Sequence, residues 1–311
     1  MSGAAEEQSA WPPPAPILVL GGSGQLGFEL VRALAPLGPV HAPGREALDL
    51  ADRAAVHGAL RAIRPGIVVN AAAYTAVDDA EREPGVAHRV NGEAAGVLAS
   101  EAARVGAILV HYSTDYVFAG DATRPYREDD ATGPPNAYGA SKLAGERAIA
   151  DAGGRWLVLR TAWLYGARGR NFLATMLRLG EARDEVRVVD DQRGTPTSAR
   201  YLAAATAAIL GHPRVRDPAR AGADAAGPWG VYHLAAGGDA TWHDFAAAIF
   251  AAVAARGGRV PRLHRIATHE HPSAARRPAY SVLDTGRARR TFGLHVPDWR
   301  VLLAHVLAER L

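Results

Sequence analysis

The chain predicts an α/β fold in which a doubly wound parallel sheet is joined to a smaller, interleaved C-terminal substrate-binding domain. Three observations carry this expectation. Short apolar runs alternate with helical patterns from Ile17 to Tyr165 at the spacing of βαβ units. The first run, Ile17-Leu-Val-Leu20, passes directly into Gly21-Gly-Ser-Gly-Gln-Leu-Gly27 and then a helical pattern from Phe28 to Leu34, which is the strand, glycine turn and helix of a Rossmann-type unit. Beyond Gly166 the alternation loosens. The division that follows gives residues 1–16 to an extension and 17–165 to a dinucleotide-binding domain, with part of 195–235 returning to it. Residues 166–194 and 236–311 form the substrate-binding part.

Met1 to Pro16 is small, polar and proline-rich, and reads as a disordered, dispensable extension. Glycines 21, 24 and 27 allow a tight turn, close approach of a pyrophosphate to backbone N–H groups and close helix–strand packing. Their G-x-x-G-x-x-G spacing differs from the G-x-G-x-x-G of ordinary dinucleotide dehydrogenases. A second strand near Pro39 to Ala42 leads into Gly44-Arg-Glu-Ala-Leu-Asp-Leu50, where the adenosine end of a dinucleotide would lie, so Arg45 and Asp49 are candidates there. A helix over Ala51 to Ile63 precedes the buried strand Gly66 to Asn70. The small residues of Ala71-Ala-Ala-Tyr-Thr75 at its carboxyl end let a cofactor lie against backbone. Asn91 opens a helix ending near Val105, and Ala107 to Tyr112 is a fourth strand delivering Ser113-Thr-Asp115 to the edge where open α/β sheets place ligands. Residues 119–137 are rich in Gly, Pro and acids and read as a loop. Trp156 to Thr161 is a further strand. After it come helical patterns at Asn171 to Leu179, Ser198 to Leu210, Thr241 to Ala255 and Trp299 to Leu311, and strands at Val186 to Val189 and Gly230 to Leu234.

Composition narrows the function. With 311 residues there is chain enough for a large core plus a smaller unit. The net charge is +3 and the arginines are scattered without interleaved aromatics, so no nucleic-acid surface is indicated. The absence of cysteine excludes disulfides, thiolate metal sites and cysteine nucleophiles. No signal peptide or membrane span is read, and the cytoplasm is the expected location.

Of the 35 basic residues, 34 are arginine, and Lys142 is the sole lysine. Arginine replaces lysine on a surface, but its fork cannot stand in for a compact ammonium aimed at one small group. Lys142 closes Tyr138-Gly-Ala-Ser-Lys142, and positions four apart share one helix face, so phenol and ammonium can face one cleft. A nearby cation would lower the phenol from its ordinary pKa of about 10 and let it exchange a proton with a substrate oxygen.

With these residues assembled, the chain resembles the extended short-chain dehydrogenase/reductases, and within them the reductases of dTDP-4-keto-6-deoxy sugars. The likeness runs from Ile17 to Leu311. It rests on Gly24-Gln-Leu-Gly27, Asn70 to Asp78, His111-Tyr-Ser-Thr-Asp-Tyr-Val-Phe118, Tyr138 to Glu146, Arg160-Thr-Ala-Trp163, Asp191 to Thr197, Thr241-Trp-His-Asp244 and Ala275-Arg-Arg-Pro278. The resemblance implies an enzyme that reduces dTDP-4-dehydro-6-deoxy-L-mannose to dTDP-L-rhamnose with NADPH or NADH. Carried over by position, it implies that Tyr138 donates the proton, Thr114 binds the same oxygen, and Lys142 grips the nicotinamide ribose and depresses the Tyr138 pKa. Gly21, Gly24, Gln25, Leu26, Asp49, Leu50, Ala72, Ala73, Tyr74, Thr75 and Tyr112 are the further expected cofactor contacts. Asp115 and Trp163 match the sugar pocket. Arg276 and Arg277 are candidates for the substrate pyrophosphate, against a solvated surface. Family members sometimes dimerise through magnesium held by surface glutamates. Those glutamates find no match here, so magnesium stays unassigned and a homodimer is left open. His269-Glu-His271 has the look of a ligand set but lies in a Pro- and Ala-rich stretch that reads as an exposed loop, so no metal site is expected. Two other readings stay open: a 4-ketoreductase for another dTDP-deoxysugar, and a non-catalytic regulatory subunit resembling the methionine adenosyltransferase β subunit.

Arg45 separates the two nicotinamide cofactors, because a guanidinium at this place can pair with a 2′-phosphate that a carboxylate would repel. Arg45→Ala is expected to raise the KM for NADPH roughly ten- to hundredfold, about 1.4–2.8 kcal/mol, and to leave NADH almost untouched. Steady-state kinetics with both cofactors would measure this, and equal losses would remove the role.

Overall fold

The computed structural model describes residues 15–216 and 227–310; the expected extension lies outside the described residues for 1–14. Five strands follow one another through the first half: β1 (Ile17–Leu20), β2 (Val40–His41), β3 (Ile67–Asn70), β4 (Ile108–Thr114) and β5 (Arg155–Thr161). Gly230–His233 joins them as a sixth strand beside β5, and the order across the sheet is sixth strand, β5, β4, β3, β1, β2, every pair parallel. The order reverses between β1 and β3. This is the switch point, where helices diverge to opposite faces and leave a crevice at the strands' carboxyl ends.

Successive side chains along a strand point to opposite faces, so each strand feeds two cores. Ile17 and Val19 meet Val69, Val110 and Leu157 on one face, under α1 (Gln25–Leu34) and the helix Ala199–Gly211. Leu18 and Leu20 meet Val68, Leu109 and Val158 on the other, under α2 (Arg53–Ile63) and the helix Ala94–Arg104. The helix Gly286–Phe292, which the sequence reading gave to the substrate-binding part, instead packs Ala288 and Phe292 into the first of these cores. A further core gathers Tyr165, Leu173, Phe245, Ile249, Trp299 and Leu303 around the parallel pair Glu185–Val189 and Arg262–Ile266. Among the described residues no helix is long and apolar enough to cross a membrane.

Helix starts follow the polar caps in the sequence. Asp52 accepts the N–H groups of Ala54 and Ala55, and Thr241 and Asp244 form a reciprocal capping box. One start differs from expectation. Asn91 does not open a helix: it sits in a π turn, Arg89–Glu93, between the helices Pro84–His88 and Ala94–Arg104. The turn frees its side chain to bond sideways, to the backbone of Tyr74 and to the Ser141 hydroxyl.

The helix Ala137–Ala152, capped by Asn136, lies against this turn through glycines. A Cβ on Gly145 would stand 2.1 Å from the Asn91 carbonyl oxygen, and one on Gly139 would stand 2.2 Å from that of Tyr116. Backbone on both sides leaves nothing flexible to yield. Gly145→Ala is therefore expected to lower stability by about 1–3 kcal/mol, the usual cost of overpacking, and to cut turnover by shifting the Tyr138 helix. Denaturant unfolding and kinetics would measure both, and an unchanged midpoint would show that the helix floats free of the turn.

Candidate active site

A cavity of about 580 Å³ opens at the switch point. Gly21, at φ +78°, turns the chain out of β1 so tightly that a Cβ there would meet the backbone of Ala72 at 2.8 Å. Gly24 then starts α1 without a side-chain cap, leaving the helix N–H groups free for an anion. These features fit a dinucleotide: a bare backbone floor and an open helix N-terminus beside it.

Of the expected cofactor contacts, Gly21, Gly24, Gln25, Leu26, Ala72, Ala73, Thr75, Tyr112, Tyr138 and Lys142 all line this cavity. Four do not. Leu50 is buried in the core under α2, and Asp49 accepts the N–H of Ala51. Arg45, largely exposed, lies 3.8 Å from Asp49, and Tyr74 sends its phenol to Glu83 at 3.0 Å. Thr114, Asp115 and Trp163 also line the cavity, at the ends of β4 and β5.

Burial governs the electrostatics. The Tyr138 phenol is pushed up to about 12 by burial and by the Asp115 carboxylate, with the Thr114 hydroxyl acting the other way. The expectation that Lys142 lowers this pKa is therefore corrected. The Lys142 amine is not turned to the phenol; it lies 3.0 Å from His111 Nε2. Burial lowers it to about 8, against the pull of Glu146. Tyr138 is thus a neutral O–H across the working pH range, the state a proton donor needs. Behind it, Ser141 donates to the Tyr138 carbonyl and Arg160 holds Glu146 through two bonds of 2.9 and 2.6 Å, so the helix is anchored on its buried side.

Asp115 is 2 % exposed, accepts the Thr114 hydroxyl at 3.0 Å on Oδ1, and has no partner on Oδ2. Burial first of all raises it to about 7, although the hydroxyls of Ser281 and Thr114 favour the carboxylate.

Trp163 takes the left-handed conformation, φ +45°, and stacks on Trp242 with ring centres 3.5 Å apart and planes 3° from parallel. Gly194 makes room, since a Cβ there would come within 2.4 Å of the Trp163 ring. Trp163 lines the first cavity, and Trp242 lines a second of about 530 Å³ together with Phe172, Met176, Leu179, Arg187 and Arg277. Arg277 pairs with Asp78 at 2.7 Å, while Arg276 is exposed and borders a neighbouring hollow. The sequence reading missed Trp242 and Arg170, which borders the first cavity. Trp242 sits in a helix whose apolar pattern signals only core, and Arg170 is one arginine among 34.

Among the described residues one carboxylate and histidine set has metal-like spacing, Asp190, His243 and Asp244. Its two carboxylates are already engaged, while His243 Nδ1 has no hydrogen-bond partner. Asp190 binds the Thr241 hydroxyl and Arg265, and Asp244 closes the capping box. It reads as a helix start, and magnesium remains unassigned.

Residues 15–311 match the model of the RmlD substrate binding domain family. The chain belongs to this family. It is 50 % identical over 288 residues to a dTDP-4-dehydrorhamnose reductase of Burkholderia thailandensis, covering 91 % of this chain and 95 % of that one. It is 42 % identical over 301 residues to the Escherichia coli K12 enzyme of the same name, covering 94 % and 97 %. Among solved structures, the Bacillus anthracis dTDP-4-dehydrorhamnose reductase in complex with NADP superposes with a TM-score of 0.85 at 33 % identity, covering 95 % of this chain and 99 % of that one. The family's fold is thus present from the first strand onward.

The Asp115 carboxyl gives a test of the site's electrostatics. Its folded pKa, about 7, lies above its ordinary 3.8, so the folded state holds the proton more tightly. The stability this confers is full below pH 3.8 and lost as pH rises through 7. Asp115→Asn carries no such dependence. Relative to the parent, the variant is expected to gain about 2 kcal/mol between pH 5.5 and pH 8. Denaturant unfolding at the two pH values would measure it, and a constant difference would place the carboxylate in water.

Proposed function

We propose that this chain reduces dTDP-4-dehydrorhamnose to dTDP-L-rhamnose, with NADPH as the reductant. The observation that carries the reading is the meeting of Tyr138, Thr114 and Lys142 with the glycine turn in one cavity. Relatives 40–50 % identical over nearly the whole chain bear the reductase name, which favours this substrate over other deoxysugars. The intact trio disfavours a non-catalytic subunit.

NADPH supplies a hydride to the sugar C4 when bound. Tyr138 gives its proton to the C4 oxygen as negative charge develops there, which a phenol near 12 does readily because an alkoxide is far more basic. Thr114 orients that oxygen through its hydroxyl. Lys142 serves the ribose side of the cavity, and the open start of α1 takes the cofactor pyrophosphate. We assign the dTDP portion to the second cavity, whose Phe172, Met176 and Leu179 suit a base and whose Arg187 and Arg277 suit phosphates. On this reading residues 17–165 hold the cofactor, and residues 166–194 with most of 236–311 hold the substrate. The proposed setting is the cytoplasm, where NADPH and nucleotide sugars are made.

The test supplies dTDP-4-keto-6-deoxyglucose, a 3,5-epimerase and NADPH, and identifies the product by NMR. dTDP-L-rhamnose is expected only with the epimerase present; reduction without it would point to another 4-keto sugar. Tyr138→Phe should lower kcat roughly 10²–10⁴-fold, the worth of a positioned general acid, with NADPH affinity little changed. Activity within a few-fold of the parent would remove Tyr138 as the donor.

A further inference from the structure

His111, on β4 and 1 % exposed, is wedged between two nitrogens. Asn70 Oδ1 accepts the N–H of Ala72 at 3.1 Å, which turns the Asn70 amide so that Nδ2 faces His111 Nδ1 at 3.0 Å. An amide nitrogen only donates, so Nδ1 is the bare nitrogen and the imidazole proton sits on Nε2. Nε2 lies 3.0 Å from Lys142 Nζ. An ammonium has no lone pair, and two N–H donors cannot bond each other, so this contact is a hydrogen bond only when Lys142 is an amine. Nor does the ring take up a second proton, because burial holds His111 well below its ordinary pKa and a Lys142 ammonium would push it lower still.

We propose that His111 is a positioning residue for Lys142: its Nε2–H binds the uncharged amine in the buried wall and leaves the ammonium to the cavity that Lys142 lines. The chain of bonds begins at the Ala72 N–H, within the backbone floor of the same cavity, and runs through Asn70 and His111 to Lys142. The tautomer is thus fixed by backbone. The other titratable groups around Lys142 do not mimic this. Glu146, one turn along the helix, favours the ammonium but is held by Arg160 on β5, and Tyr138 is neutral. Asp115 acts on the phenol and not on the amine. The inference rests on reading Lys142 as a working residue of the site.

Because Lys142 is the only lysine, full-length protein grown with ¹³C-lysine gives a single Cε resonance that titrates with its ionisation. The wild-type midpoint is expected near 8. In His111→Gln the amide can turn its oxygen to the ammonium, and the midpoint should rise by at least one pH unit, a tenfold gain in proton affinity. The high-pH limb of kcat should move the same way. An ordinary midpoint near 10.4 in the wild type, or an unmoved one in the variant, would overturn the pairing. Should His111→Gln fail to fold, ¹⁵N-histidine spectra of the wild type decide: the Nε2–H tautomer supports the inference and the Nδ1–H tautomer refutes it. Lys142→Arg separates the two levels. Full turnover in Lys142→Arg would remove the reading of the site and leave the pairing standing, whereas a dead Lys142→Arg together with an unmoved midpoint in His111→Gln would remove the pairing alone.

Discussion

Two backbone contacts hold the site together, where Gly139 and Gly145 bring the Tyr138 helix against the carbonyls of Tyr116 and Asn91. Those contacts fix the height of the helix above the sheet, and the helical period then places Tyr138 and Lys142 on the face that looks into the cavity. Ser141, one residue before the lysine, reaches the Asn91 amide, and Glu146 reaches Arg160. Each is buried, and each has its partner. Breaking any of them would strand a polar group away from water, which makes the seat of the helix narrow in energy as well as in space.

The same burial acts on Tyr138, Asp115, Lys142 and His111, in each case towards the neutral form. The phenol and the carboxyl are raised and the amine and the imidazole are lowered. The pocket keeps a donor protonated until negative charge appears on the substrate, and the Tyr138 hydroxyl meets that charge, while Thr114 has to turn its proton from Asp115 to do the same.

Much of this was legible in the sequence because the informative signals are local. A strand, a glycine turn and a helix follow one another without interruption, and the Tyr138 to Lys142 spacing is a property of one helix. The sheet's order and the cavity's place follow from such units by the handedness and switch-point rules. What stayed hidden depends on contacts between distant stretches. The π turn at Asn91 is stabilised by Tyr74 and Ser141, neither of which is near it in sequence. The Trp163–Trp242 stack depends on Gly194 clearing space for an indole from another strand's end. The Lys142 amine turns to His111 because Asn70 fixes the ring's tautomer, and no spacing along the chain encodes that choice.

The stacked indoles have a consequence for the two cavities they separate. Trp163 belongs to one and Trp242 to the other, and neither ring can shift without changing the surface offered to both. A partition held in common makes the cavities thermodynamically reciprocal. Whatever factor an occupant on one side imposes on affinity across the wall, an occupant on the far side imposes in return.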